Sequence, residues 1–214
     1  MQTLRITEIF LSLQGEANTV GWPTVFVRLT GCPLRCQYCD SAYAFQGGQV
    51  KSLPDIINEV TAFQVPRVTV TGGEPLAQPD VHELMRNLCD AGLSVSLETS
   101  GALSVAEVDP RVVKVVDFKT PDSAESHRNV WDNVAHLSAQ DQVKFVLCSQ
   151  SDYDWAKLKC DEHGLADKVS DVLFSPSFEQ LPPTQLADWI VRDRLPVRMQ
   201  MQLHKLLWGD VPGK

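Results

Sequence analysis

Three thiols crowd into eight residues. Cys32, Cys36 and Cys39 stand in a Cys-x3-Cys-x2-Cys array inside Gly31-Cys32-Pro33-Leu34-Arg35-Cys36-Gln37-Tyr38-Cys39-Asp40, while Cys89, Cys148 and Cys160 are scattered. Six cysteines in 214 residues are too sparse for a disulfide scaffold, and a crowded trio reads as a metal or cluster site. A structural zinc takes four protein ligands, so here it would need Asp40 or a distant cysteine as the fourth. A four-iron cluster held by three thiolates leaves one iron open for a substrate or cofactor. A second array, Val70-Thr71-Gly72-Gly73-Glu74-Pro75, follows forty residues on. Its two glycines let a backbone approach a partner closely, and taken alone the segment is a weak turn signal.

The elements that must position these residues alternate along the chain. Short β-branched runs predict strands over residues 5–10, 24–30, 67–71, 94–99, 112–118, 143–148, 171–175 and 197–203. Ile56, Ile57, Val60 and Phe63 recur at helical spacing behind an N-cap at Ser52 with Pro54 in the first turn. Val81, Leu84, Met85 and Leu88 form a second stripe, opened by Pro79 and Asp80 and closed by Gly92. Further helices are expected over 153–163, stopping at Gly164, and over 184–192. Such alternation predicts an α/β fold with a mainly parallel sheet and helices on its outer side. A full eight-unit barrel needs about 250 residues, so an incomplete, open (β/α) barrel is expected. The cysteine loop and the Gly-Gly-Glu segment then both sit at carboxyl ends of strands, where barrel sites are built. Residues 11–21 are polar and glycine-punctuated, and read either as a hairpin connection or as a segment that covers bound substrate.

Composition narrows the partners. The chain has 19 basic against 27 acidic residues, a net charge of −8, and a pI near 5.1. That balance argues against binding a nucleic-acid backbone. No apolar run approaches the ~18 residues of a membrane span, and the first ten residues lack the layout of a signal peptide. A single domain over residues 1–214, cytoplasmic and without membrane contact, is the expectation. His82, His127, His136 and His163 fall in helical or polar stretches and read as solvated. Cys89 and Cys148 read as small hydrophobes.

The cysteine triplet, with Tyr38 directly before the third thiol, resembles the signature of the radical S-adenosylmethionine (SAM) superfamily, and Gly72-Gly73-Glu74 resembles its glycine-glycine-glutamate motif. Glu8-Ile9-Phe10-Leu11-Ser12-Leu13-Gln14-Gly15-Glu16, Thr24-Val25-Phe26-Val27-Arg28-Leu29, Cys39-Asp40-Ser41, Glu98-Thr99-Ser100-Gly101 and Gln202-Leu203-His204-Lys205 are together similar to the 7-carboxy-7-deazaguanine synthase family. The resemblance implies a barrel of the radical SAM type. It also implies conversion of a carboxytetrahydropterin to a carboxylated deazaguanine by hydrogen abstraction, ring contraction and loss of ammonia, with SAM regenerated. Its cofactors would be a 4Fe-4S cluster on Cys32, Cys36 and Cys39, SAM, and magnesium on the Ser41 hydroxyl. Gly73 and Glu74 would meet the methionine part of SAM. Ser100, Asp117, Phe118, Lys119, Phe174, Ser175, Pro176 and Ser177 would meet its ribose and adenine. The chain departs from the family at Asp117-Phe118-Lys119, where members often read serine-proline-lysine. Leu13, Gln14, Gly15, Arg28, Thr71, Gln202 and His204 would meet the pterin, the last two sharing a face of a final strand, and Lys144 is a further candidate. The alternatives for Arg28, Lys144 and His204 are a structural ion pair, a snorkelling lysine and a core histidine. An electron donor such as a flavodoxin-type protein, a homodimer, and closure by a tail over residues 205–214 complete the expectation. Rival readings are a radical SAM activase that installs a glycyl radical on a partner protein and a zinc-stabilised binding module.

Overall fold

The computed structural model describes residues 2–209, 211 and 213. The β-branched runs become β1 (Thr3–Leu13), β2 (Pro23–Leu29), β3 (Gln49–Ser52), β4 (Arg67–Gly72), β5 (Ser94–Thr99), β6 (Val113–Asp117), β7 (Gln142–Leu147), β8 (Asp171–Pro176) and β9 (Arg198–Met199). They form one sheet in the order β3-β1-β2-β4-β5-β6-β7-β8-β9. From β2 through β4 to β9 every neighbour is parallel, and β1 is antiparallel to both β2 and β3. The two ends of the sheet, β3 and β9, do not pair, so the barrel is open.

Period-two alternation sorts the strands' side chains. Val27, Val70, Leu97, Val143, Phe145 and Phe174 face outward into the core. The outer layer is α1 (Leu53–Ala62), α2 (Val81–Asp90), α3 (Gln150–Glu162), α4 (Leu165–Lys168) and α5 (Pro183–Asp193). Their buried stripes include Ile56 and Val60 of α1 and Val81, Leu84, Met85 and Leu88 of α2. The Ser52 side chain caps α1 by accepting from the Asp55 amide at 3.3 Å. α3 starts three residues before the expected position because Ser149 Oγ accepts from the Asp152 amide at 3.2 Å. It stops before Gly164, whose φ is +56°.

The structure differs from the sequence expectations at several points. The final strand over 197–203 shrinks to Arg198–Met199, and residues 203–208 form the helix α6 (Leu203–Trp208). Gln200 makes the last ladder-like bond, its amide donating to Phe174 O at 3.0 Å, after which the chain turns. Gln202 and His204 therefore do not share a strand face: Gln202 is the N-cap and His204 lies in the first turn. β3 escaped the sequence reading because it is short and half polar, an edge strand whose ladder is to β1. β1 itself runs beyond residues 5–10 because one half pairs with β3 and the other with β2. His163 is only partly solvated, because its ring stacks on Trp131 with centroids 4.2 Å apart. Residues 210, 212 and 214 of the expected tail lie outside the described residues. Among those described, no helix is long and apolar enough to cross a membrane.

Candidate active site

The inward-facing side chains of the strands, with the loops at their carboxyl ends, enclose a cavity of about 480 Å³. Register makes its wall continuous: Arg28 stands opposite Thr71, and Asp117 opposite Lys144. The cysteine loop leaves β2 through Gly31, whose φ is +98°, and Cys32, Cys36, Tyr38, Cys39, Asp40 and Ser41 all line the cavity. The Gly-Gly segment lies against the root of this loop. A Cβ on Gly73 would sit 2.2 Å from Gly31 O, and one on Gly72 would sit 2.4 Å from Leu29 O. The adjacent Glu74 amide donates to Gly31 O at 2.8 Å. The glycines are therefore needed first for backbone to meet backbone; Gly73 also faces the cavity.

Glu74 differs from its sequence reading. Its side chain is fully buried and accepts from the Leu76 amide at 3.0 Å, Thr99 Oγ1 at 2.8 Å, the Ser100 amide at 2.7 Å and Ser100 Oγ at 2.5 Å. With both oxygens taken, it braces the end of β4 to the end of β5 and orients Ser100, rather than presenting a free carboxylate. Phe118 and Phe174 also differ. Phe118 stacks on Trp131 at 4.4 Å and Phe174 packs edge-on against Phe145 at 5.8 Å. Both rings lie in the outer core, so only their main chains are available at the strand ends. Ser175, Pro176 and Ser177 do line the cavity.

The lower wall is charged and internally paired. Lys144 Nζ lies 2.5 Å from Glu16 Oε2 and 3.5 Å from Asp117 Oδ2, and Lys119 Nζ lies 3.1 Å from Asp117 Oδ2. Lys144 is thus a buried site residue and not a snorkelling one. Burial opposes the charge on both lysines, yet Glu16 and Asp117 hold Lys144, and Asp117 holds Lys119, firmly as ammonium. Burial likewise opposes ionisation of Glu16, and Lys144 outweighs it. Glu98 is pushed the other way, upward, by burial and by the charge of Glu16. Burial raises the Cys36 thiol to about 11 and raises Cys32 as well.

Residues 14–16 line the cavity as its floor, and residues 14–18 are pinned by hydrogen bonds. Gln14 Nε2 donates to Thr69 Oγ1 at 3.0 Å. The Ala17 amide donates to Gln200 Oε1 at 2.7 Å and the Asn18 amide to Gln142 Oε1 at 3.0 Å. Gln202 Nε2 donates to Glu16 Oε1 at 2.8 Å and to Asp40 Oδ2 at 3.2 Å. His204 packs directly on Gly15, and burial lowers its pKa. Arg28 uses Nε on Glu8 Oε1 at 2.7 Å; its terminal nitrogens make no hydrogen bond to another described residue. Thr71 Oγ1 donates to Glu98 Oε2 at 3.0 Å. Ser41 Oγ stands 3.8 Å from Cys39 Sγ. The sequence reading of the site left out Glu16 and Glu98. Their signal was a carboxylate in an otherwise apolar or glycine-rich stretch, and for Glu98 an inward position on β5.

Three buried polar atoms, Tyr38 Oη, Asp117 Oδ1 and Ser175 Oγ, have no hydrogen-bond partner among the described residues, and all three residues line this cavity. Buried polar groups are normally satisfied. A donor- and acceptor-bearing ligand such as a nucleoside therefore fits the space, and three thiols on one wall fit a cluster beside it.

Residues 26–116 match the family model described as the Radical SAM superfamily. A 7-carboxy-7-deazaguanine synthase from Chlorobaculum tepidum is 46% identical over 209 residues, covering 96% of this chain and 94% of that protein. The protein of the same name from Koribacter versatilis is 41% identical, covering 96% and 97%. The crystal structure of QueE from Escherichia coli shares the fold, with a TM-score of 0.73 at 23% identity over 94% of this chain and 95% of that one.

Proposed function

Because the chain belongs to the 7-carboxy-7-deazaguanine synthase family of radical SAM enzymes, we propose that the cavity at the strand ends is where its pterin substrate and SAM meet. The enzyme is a carbon–nitrogen lyase of queuosine biosynthesis. It converts 6-carboxy-5,6,7,8-tetrahydropterin to 7-carboxy-7-deazaguanine by hydrogen abstraction, ring contraction and loss of ammonia. A 4Fe-4S cluster and SAM, used catalytically, supply the single electron and the hydrogen-abstracting group.

The reading is carried by one observation: the cysteine loop, Gly73 and the inward-facing guanidinium of Arg28 converge on a single cavity. Cys32, Cys36 and Cys39 hold the cluster. Gly73, Ser100, Asp117, Lys119, Ser175, Pro176 and Ser177 hold SAM, with Glu74 acting through Ser100 and with Phe118 and Phe174 contributing main chain only. Arg28 takes the substrate carboxylate, for which a planar fork is suited. Leu13, Gln14, Gly15, Thr71, Gln202 and His204 seat the heterocycle on the floor, which the Glu16–Lys144 ion pair ties to β7. Ser41 offers its hydroxyl to magnesium, a cation that prefers oxygen ligands and retains waters. A flavodoxin-type protein is the proposed electron donor, a homodimer the proposed assembly, and the cytoplasm, where thiols stay reduced, the proposed setting.

The test is an anaerobic assay of reduced enzyme with SAM, magnesium and the carboxytetrahydropterin. Deazaguanine product should accumulate over many turnovers with SAM conserved, and should fall on omission of magnesium or in Ser41→Ala. Stoichiometric loss of SAM as methionine and deoxyadenosine without product would favour the activase reading. Cys36→Ala should lose both iron and activity.

A further inference from the structure

The cysteine loop is irregular, and two contacts from one neighbouring segment hold its middle. The Arg35 amide donates to Glu125 Oε1 at 2.6 Å, and the Gln37 amide donates to Ser123 O at 3.2 Å. Both acceptors belong to a short stretch after β6 that is itself firmly built. Asp152 at the start of α3 accepts from Thr120 Oγ1 at 3.0 Å, the Asp122 amide at 3.0 Å and the Cys148 amide at 2.9 Å. Ser123 Oγ donates to Thr120 O at 2.6 Å and accepts from the Glu125 amide at 3.0 Å. Ala124 holds φ +66°, a left-handed backbone unusual for a residue with a Cβ. The turn it makes presents Glu125 to the cysteine loop.

What Glu125 takes from that loop matters. The preceding amide, Leu34 N, already points at a thiol, 3.4 Å from Cys32 Sγ. The next amide, Arg35 N, stands between the first two cysteines in the chain, and its bond to Glu125 leaves it unavailable to a sulfur. Hydrogen bonds to cluster sulfurs and the net charge around them set reduction potential. A carboxylate that removes one donor and adds one negative charge acts downward on both counts. The Arg35 guanidinium is turned back on its own loop, donating to Cys32 O at 2.7 Å.

We propose that Glu125 is a positioning residue that holds the Arg35 amide away from the cluster sulfurs and keeps the bound cluster strongly reducing. The inference rests on the reading of Cys32, Cys36 and Cys39 as cluster ligands. Its test is an EPR-monitored potentiometric titration of the one-electron cluster couple in reconstituted protein without SAM, with iron per chain measured alongside. Glu125→Gln keeps an acceptor for the amide and loses the charge, so its potential should shift upward. Glu125→Ala loses both and should shift further upward, with an altered EPR signal. Should Glu125→Ala fail to retain iron, the Glu125→Gln shift alone decides the matter. Unshifted potentials at full iron content would overturn the inference while leaving the ligand assignment intact. Wild-type protein that takes up no four-iron cluster would overturn both.

Discussion

A methyl group on Gly15 would lie 2.2 Å from His204 Nδ1, nearer than non-bonded atoms approach, so the bare backbone there is what lets the first turn of α6 seat against the floor. Gly15→Ala should push the His204 ring out of place and raise KM for the pterin at least tenfold, the equivalent of ~1.4 kcal/mol, with little change in Tm. Steady-state kinetics alongside a melting curve checks this, and an unchanged KM would remove Gly15 from the substrate's seat. At this scale the sequence was most informative where chemistry is carried by covalent spacing: the cysteine array and the Gly-Gly pair. It misled at Glu74, whose partners Thr99 and Ser100 lie 25 and 26 residues away and become neighbours only through the parallel β4–β5 ladder. Phe118 misled for a related reason. Adjacent strand residues face opposite sides, so its neighbours Asp117 and Lys119 meet the cavity while its own ring meets Trp131.

Among the elements, α3 and α5 are joined by a single carboxylate. Asp193 accepts from Arg192 Nε at 2.7 Å, Lys157 Nζ at 2.5 Å and Tyr153 Oη at 3.0 Å. The hydrogen bonds from Arg192 and then Lys157 outweigh burial and hold it well below the usual carboxylate range. A carboxyl whose pKa is lower folded than unfolded adds stability above its unfolded value of about 3.9 and loses it as pH falls below that. Wild-type Tm should therefore drop on acidification below about pH 4. Asp193→Asn should melt lower at neutral pH and show a shallower acid limb, and parallel pH curves for the two proteins would contradict the role. The helices themselves were legible from their apolar stripes and caps. α6 was not, because Gln202 and Leu203 continue the apolar–polar alternation of Val197, Met199 and Met201, and nothing local marks where the ladder ends.

For the molecule as a whole, residues 14–18 of the β1–β2 connection reach across the inside of the open sheet to β7, to the chain after β9 and to α6. The Ala17 and Asn18 amides are bonded to Gln200 and Gln142, and the Leu203 amide donates to Gly15 O at 3.0 Å. Hydrogen exchange of the ligand-free enzyme should show these amides protected, and Gln200→Ala should speed exchange at Ala17 by about fivefold, as loss of one bond of ~1 kcal/mol implies. Exchange at the rate of an exposed loop in wild type would mean that the segment orders only when ligands arrive, as a covering segment would.

From the amino-acid order alone came the alternation of strand and helix, the open barrel, the thiol triplet and the family resemblance. All of these are written in short-range periodicity and fixed spacing, which the chain carries before it folds. Tertiary structure alone settled which carboxylates stand free and which are spent. Glu16 meets Lys144 across 128 residues and Gln202 across 186. Such pairings depend on strand register and on how far the barrel closes, and both are products of packing the entire sheet.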